Sequence, residues 1–199
     1  MRGLDSANPC FNTLLTIILH ISNNNMHVGE VIIGRGTIED AVALTELSVT
    51  TFTDTFAADN RKEDMDKYLA EEMNLEKLSK ELSDEKNLFF LVRYNGHLAG
   101  YAKLSAAKKP EAPATNNPVE IERIYVARKY QGRKIGAALM NECINYALAQ
   151  SSDTVWLGVW EHNYKAVNFY NQWGFERYGS HEFRLGDDIQ TDMLMKKDL

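Results

Sequence analysis

Four cations crowd the segment 128–134 of a chain whose formal net charge is −6. Arg128, Lys129, Arg133 and Lys134 sit in and just before "YQGRKIGAALM" (130–140), where Gly132 and Gly136 separate an apolar run from an apolar-periodic one. The pattern predicts a strand-to-helix junction, with the helix opening near Gly132. The first turn of a helix leaves backbone N–H groups without intrahelical partners, and its dipole favours negative charge there. Glycines let a ligand oxygen approach the main chain closely. Cations, free amides and glycines together suit a phosphate or pyrophosphate. The competing reading is an ordinary loop with a solvated basic face. A P-loop is excluded, because Lys134 is followed by Ile-Gly-Ala and not by Ser or Thr. A dinucleotide fingerprint is excluded by the glycine spacing, which Glu161 at the end of the next strand does not rescue. Gly34-Arg35-Gly36 lacks the further glycine and helix entry at the required spacing. The two cysteines, Cys10 and Cys143, form no CxxC pair and no His/Cys cluster with zinc spacing, so no metal is expected. Cys143 lies one helical turn after Leu139 and reads as a buried thiol, with no His nearby in sequence to activate it.

The elements that position this junction follow from periodicity. "VIIGRG" (31–36) reads as a strand, and Thr37 with Asp40 reads as a capping box before a helix through "AVALTELSVTTF". "RKEDMDKYLAEEM" and "NLEKLSKELSD" are two short helices, the second capped by Asn74. The period then changes to two: "LFFLVRY", Asn95-Gly96 and "HLAGYAKLSA" predict a hairpin. After a Pro- and Asn-rich connection (107–118) come a strand at 119–126, the helix to about Gln150, and a strand at 154–160. A helix through "NYKAVNFYNQW", stopped by Gly174, and two strands near 175–183 and 189–197 complete the chain. This mixing implies an α/β or α+β sheet with helices on its faces. The crossover at 119–160 should make its two strands parallel neighbours.

With 44% hydrophobic and 25% charged residues in 199, one soluble globular domain is expected. Net negative charge argues against nucleic acid and is compatible with a cationic substrate. The apolar run "FNTLLTIILHI" (11–21) is too short to cross a bilayer and lacks the basic n-region and cleavage site of a signal peptide. Residues 1–28 are expected to be a poorly ordered extension, with Met26 as an alternative start, and 29–199 a single domain. A cytoplasmic setting without membrane attachment is expected, and 11–21 is a candidate surface for a homodimer.

The run "IERIYVARKYQGRKIGAALM … VWLGVWEHNYKAVNFYNQWGF" resembles the acetyl-CoA-binding core of GNAT-type N-acetyltransferases. Their marks are a Gln/Arg-x-x-Gly-x-Gly/Ala loop after the fourth strand, an Asn after the fifth, and an N-x-Y-x-x-x-G-F-like segment. The likeness covers about residues 30–199. Within the family, "TFTDTFAADN…EDMDKYL", "EIERIYV", "WLGVWE" and "GDDIQTDMLMKK" resemble the PaiA-type polyamine acetyltransferases. One residue departs from the pattern: Lys134 stands where the first motif glycine usually does, and a Cβ there requires negative φ or strain.

The resemblance implies a mixed, mostly antiparallel sheet with a parallel, splayed strand pair and helices on both faces. It implies acetyl-CoA as co-substrate, a small amine such as spermidine as acceptor, and direct transfer in a ternary complex. Backbone groups of Ile124, Tyr125 and Val126 would pair with the pantetheine arm, and Gln131, Gly132, Arg133, Lys134, Ile135, Gly136 and Ala137 would hold the pyrophosphate. Asn163 would hydrogen-bond the pantetheine, and Lys165 would reach the nucleotide end. Tyr170 would protonate the departing thiolate, although Val167, Tyr170 and Trp173 also have the spacing of a core stripe. Glu122 is the candidate base. Alternation puts it with Glu120, opposite Ile121, Arg123 and Tyr125. It would act through water or by a pKa raised on burial; otherwise it is an exposed acid or an arginine's partner. Phe52, Phe56 and Glu63-Asp64-Asp66 lie where the family builds its acceptor cleft, although Glu63 and Asp66 read better as a solvated helix face.

Overall fold

The computed structural model describes residues 17–21, 29–107, 109 and 111–199. Its strands are β1 (Ile17–Ile21), β2 (Gly29–Arg35), β3 (Asn87–Tyr94), β4 (His97–Ser105), β5 (Pro118–Val126), β6 (Thr154–Trp160), β7 (Glu176–Leu185) and β8 (Asp188–Asp198). The helices are α1 (Ala41–Phe56), α2 (Lys62–Glu72), α3 (Leu75–Ser83), α4 (Ile135–Ala149) and α5 (Tyr164–Gln172). All eight strands join one sheet in the order β1-β2-β3-β4-β5-β6-β8-β7. Every neighbouring pair is antiparallel except β5–β6, the two ends of the α4 crossover. The mixed, mostly antiparallel sheet expected from the sequence is what forms. Residues 17–21, inside the stretch expected as an extension, pair with β2 from Ile17↔Ile33 to Ile21↔Gly29. Cys10 and Met26 lie outside the described residues.

Local chemistry sets the boundaries. Asn95 and Gly96 both take positive φ, 49° and 79°, the geometry that a two-residue hairpin turn demands. The Asn74 Oδ1 accepts the Lys77 N–H at 2.8 Å and starts α3. The Asp40 carboxylate accepts the Thr37 N–H at 2.9 Å and pairs with Arg93 of β3 at 2.7 Å, so one side chain caps the helix entry and ties it to the sheet.

The sheet is buried on both faces. β3 sends Phe90 and Val92 into the layer with Leu139, Met140 and Cys143 of α4, and Phe89 and Leu91 into the layer with Leu44 and Leu47 of α1 and Leu78 of α3. A strand covered on both sides has no need for polar alternation, which is why "LFFLV" is continuous. A smaller cluster of Phe52, Met65, Met73 and Leu185 seats α2 on β7.

That seat includes a polar latch. Asp64, 3% exposed, accepts the Asp187 N–H at 2.8 Å and pairs with Arg61 at 2.8 Å. Gly186, with φ +62°, lies so close that a Cβ would stand 2.5 Å from the Asp64 Cα. Gly96 also has positive φ, but a Cβ there meets nothing within 4 Å. Gly186→Ala should therefore lower unfolding free energy by about 3 kcal/mol, from backbone overlap plus left-handed strain, and Gly96→Ala by only about 1 kcal/mol. Denaturant titration of the two variants against wild type measures the difference.

Candidate active site

β5 and β6 pair over three positions only, Pro118↔Thr154 to Glu120↔Trp156, and then diverge. Beyond Glu120 the edge of β5 that faces β6 has no strand beside it. A cleft of about 1170 Å³ opens there, lined by Ile121–Val126 of one strand and by Gly158, Val159 and Trp160 of the other. An unpaired edge inside a cleft offers main-chain donors and acceptors to an extended ligand.

A bulge shapes this edge. Opposite β4, Leu104 pairs with Ile121 and Lys103 with Arg123, so Glu122 is an extra residue. The alternation expected from sequence therefore fails at this point. Ile121 packs in the layer under α4, whereas Arg123 and Tyr125 turn to the α1–α3 face. Ile124 and Val126 are back under α4. One inserted residue resets the parity and bends the strand.

Four charges sit at the bulge. Arg123 donates to both Glu81 carboxylate oxygens at 2.6 and 3.2 Å, and Lys103 pairs with Glu81 at 3.0 Å and with Glu122 at 2.7 Å. Burial pushes the Glu122 carboxyl up, but Lys103, Arg123 and Lys109 outweigh it and hold it below the ordinary carboxylate range. The raised pKa that direct proton abstraction would need is absent at Glu122, so of its two expected routes only the one through water is left. Its neighbour Glu120 goes the other way: burial raises its pKa although Lys109 lies 2.8 Å away.

The basic loop differs from expectation in where the helix begins. A short 3-10 turn covers Arg128–Tyr130, and α4 starts at Ile135, three residues beyond Gly132. Gly132 and Lys134 both take positive φ, 77° and 60°. Lys134 thus adopts the strained left-handed conformation at its motif position, and the exposed segment Gln131–Lys134 leads straight into the free N–H groups of α4. The four cations do not converge. Arg128 and Lys134 line the cleft, while Lys129 stacks on Tyr130 at 4.9 Å and Arg133 on Tyr94 at 5.1 Å. Of the residues from Ile124 to Lys165 expected to hold acetyl-CoA through the family resemblance, Arg133 alone does not line the cleft; the expected catalytic pair, Glu122 and Tyr170, both do. Gln131 bridges loop and strand, donating to the Val126 carbonyl at 3.0 Å and accepting from Lys165 at 2.7 Å.

α5 delivers the remaining groups. The Asn163 Oδ1 caps this helix by accepting the Ala166 N–H at 3.1 Å, so its amide NH₂ is left for a ligand. Tyr170 is 8% exposed, packs in the α4 layer beside Phe169 and Phe175, and reaches the cleft. Core and cleft residue are therefore one and the same. Burial raises its phenol pKa far above the ordinary value, so it carries its proton at any neutral pH. Cys143 is fully buried with its thiol pushed up by burial, which fits packing and not nucleophilic attack.

The far wall is aromatic and acidic. Phe52 stacks on Tyr68 at 4.7 Å, Phe56 meets Trp160 edge-on at 6.0 Å, and Tyr68 meets Phe183 at 5.5 Å. The acidic segment 63–66 is not part of this wall. Asp64 is the hairpin latch, Asp66 pairs with Lys62 at the surface, and Glu63 is exposed. Glu71, Glu72, Glu120 and Asp192 line the cleft instead. Sequence reading passed over Asp192 and His181, because only the pairing of β7, β8 and β6 brings them to the cleft.

The profile of the acetyltransferase (GNAT) family matches residues 43–175 of this chain. An uncharacterized N-acetyltransferase from the pepI 3′ region of Lactobacillus delbrueckii subsp. lactis is 40% identical over 161 residues, covering 81% of this chain and 93% of the relative. The spermine/spermidine N(1)-acetyltransferase of Bacillus subtilis is 24% identical over 102 residues, covering 51% and 66%. Among solved structures, the PaiA N-acetyltransferase from Thermoplasma acidophilum in complex with coenzyme A superposes with a TM-score of 0.70. It is 24% identical, with 85% of this chain and 99% of that one covered.

The charged group at the bulge yields a stability prediction. Arg123→Met should lower unfolding free energy by about 3–5 kcal/mol, because it leaves Glu81 buried with less than its full complement of charge. Arg123→Met combined with Glu81→Leu keeps the Lys103–Glu122 pair balanced and should recover most of that loss in the same urea titration.

Proposed function

This chain belongs to the GNAT acetyltransferase family, and from that premise we propose that it transfers the acetyl group of acetyl-CoA directly to a primary amine of a polyamine such as spermidine. The chain is an acetyl-CoA-dependent N-acyltransferase. The observation that carries the finer reading is the convergence on one cleft of an unpaired strand edge, a helix N-terminus, the Asn163 amide and the Tyr170 phenol.

The pyrophosphate lies against the amides of Gln131–Ala137, with Lys134 beside it and Lys165 toward the nucleotide. The pantetheine runs along Ile124–Val126 as an added strand and receives a hydrogen bond from Asn163. The Gln131 side chain leaves the Val126 carbonyl as the ligand arrives. The amine nitrogen, once deprotonated, attacks the thioester carbon, and main-chain N–H groups of β5 stabilise the developing oxyanion. As the C–S bond breaks, the thiolate takes the Tyr170 proton, and the phenolate recovers one from the second N–H of the acylated nitrogen. Glu122 supplies a fixed negative charge and assists proton removal through water. Direct transfer is favoured over an acyl-enzyme, because Cys143, the cysteine among the described residues, is buried and has no activating partner.

The polyamine reading is supported by the carboxylates on the acceptor wall, which favour a substrate bearing several ammonium groups, and by the Bacillus subtilis relative. Mass spectrometry of products across a panel of polyamines, peptide N-termini and aminoglycosides tests it. Spermidine should be acetylated fastest. Acetylation of peptides alone would redirect the assignment to protein N-termini, and CoA binding with no product from any amine would mark a silent regulatory domain.

Tyr170→Phe should lower kcat by about 100-fold or more while CoA affinity, read by calorimetry, stays within about twofold. Lys134→Gly should raise unfolding free energy by up to about 1 kcal/mol, since relief of left-handed strain exceeds the added chain entropy. The same change should weaken CoA binding by about threefold, as one exposed cation is lost while the loop amides remain.

A further inference from the structure

Three ionisable groups that the scheme above leaves idle stand in a row beside the cleft. His181 of β7 lies directly opposite Asp192 of β8 in the antiparallel register, with Nε2 3.7 Å from the Asp192 Oδ2. The other ring nitrogen, Nδ1, is 3.4 Å from the Glu111 Oε1 on the connection between β4 and β5. Glu111 is itself anchored, its main-chain carbonyl accepting the Tyr178 O–H at 2.8 Å. Among the described residues no three His, Cys, Asp or Glu side chains converge as a metal site, so this row has the form of a chain and not of a cage.

The inner end of the row opens on the cleft because β6 has no side chain there. A methyl at Gly158 would stand 3.4 Å from both the Asp192 Oδ2 and the His181 Nε2. Gly158 thus leaves room for a ligand beside these two side chains. Trp160, the register partner of Asp192, adds an indole and no charge. The titratable groups facing the row are Lys109 from the connection, Glu120 from β5 and Tyr178 from β7, with Lys109 paired to Glu120 at 2.8 Å.

We propose that Asp192 is the group that takes the proton from the acceptor ammonium, and that His181 and Glu111 pass it on toward the surface. In the step, an N–H bond of the ammonium breaks, its electron pair stays on nitrogen for attack on the thioester, and the proton goes to the Asp192 Oδ2. A bridging water or a small side-chain rotation closes the 3.7 Å to His181, and as Nε2 takes the proton, Nδ1 releases its own to the Glu111 carboxylate 3.4 Å away. Only Asp192 touches the substrate; His181 and Glu111 position and discharge it. Burial raises the Asp192 carboxyl and the His181 ring beside it draws it back, leaving it at about 6. A carboxylate poised near neutrality is a matched acceptor, whereas Glu122 is held ionised by its cations.

This assignment rests on the acetyl-transfer reading, and the test separates the two. Steady-state rates with acetyl-CoA and spermidine are measured from pH 5 to 9 for wild type, Asp192→Asn, His181→Gln and Glu122→Gln, with CoA binding by calorimetry as the check on each fold. Wild-type kcat should rise through about pH 6 to a plateau, and Asp192→Asn should fall about 100-fold and lose that limb. His181→Gln should move the limb to higher pH, because losing the ring's interaction with Asp192 lets the carboxyl pKa rise. Glu122→Gln should keep the limb near its wild-type position. An Asp192→Asn enzyme with the wild-type pH profile overturns the relay. If that variant fails to bind CoA, an unmoved limb in His181→Gln overturns it equally. Absence of amine acetylation by wild type overturns the underlying reading instead.

Discussion

Two strands that set out as a parallel pair stop bonding after Glu120, and the main-chain edge they leave unpaired is the feature the rest of the molecule serves. Buried amides and carbonyls without partners are costly, so such an edge persists only where water or a ligand reaches it. The α4 crossover fixes the parallel start of the pair. The bulge at Glu122 bends β5 away, and the β7–β8 hairpin holds β6 from the other side. Loop, cap and phenol are then arranged around that opening by the two elements that follow it, α4 and α5.

Charge placement around the opening follows a simple division. At the bulge, two cations and two carboxylates neutralise one another, which fixes geometry and holds Glu122 ionised. On the opposite wall, Asp192 has one imidazole for company and little water, so its proton affinity is left near neutrality. Two carboxylates that line the same cleft thus move in opposite directions: cations outweigh burial at Glu122, and burial outweighs His181 at Asp192.

Much of this was legible in the sequence, for identifiable reasons. The hairpin at Asn95-Gly96, the caps at Thr37 and Asn74 and the parallel crossover are short-range or handedness effects, and each formed where the pattern put it. The glycine-rich loop and Tyr170 line one cleft because motif spacing survives when the fold does. Other features were hidden because they depend on pairing between distant segments. A bulge leaves no mark in "VEIERIYV", so the faces of Ile121 and Arg123 were misread. Glu63 and Asp66 are the solvated helix face that the sequence suggested, but Asp64, left as a candidate for the cleft wall, bonds the hairpin turn some 120 residues on. Arg133 was counted by its position in the loop, while its guanidinium found the face of Tyr94. Lys134 shows the converse: the sequence identified a backbone conflict at one residue, and the chain accepts the strain there.

The splayed strand has one further property. Along Glu122–Val126 one edge of β5 is bonded into β4 and the other looks into the opening. Neighbouring amides of the same strand therefore belong to two dynamic populations. Those tied to β4 exchange hydrogen with solvent only when the sheet itself opens, while those on the free edge do so continually. A ligand laid along that edge converts the second population into the first, so occupancy of the cleft is recorded, residue by alternate residue, in the isotope exchange of the backbone.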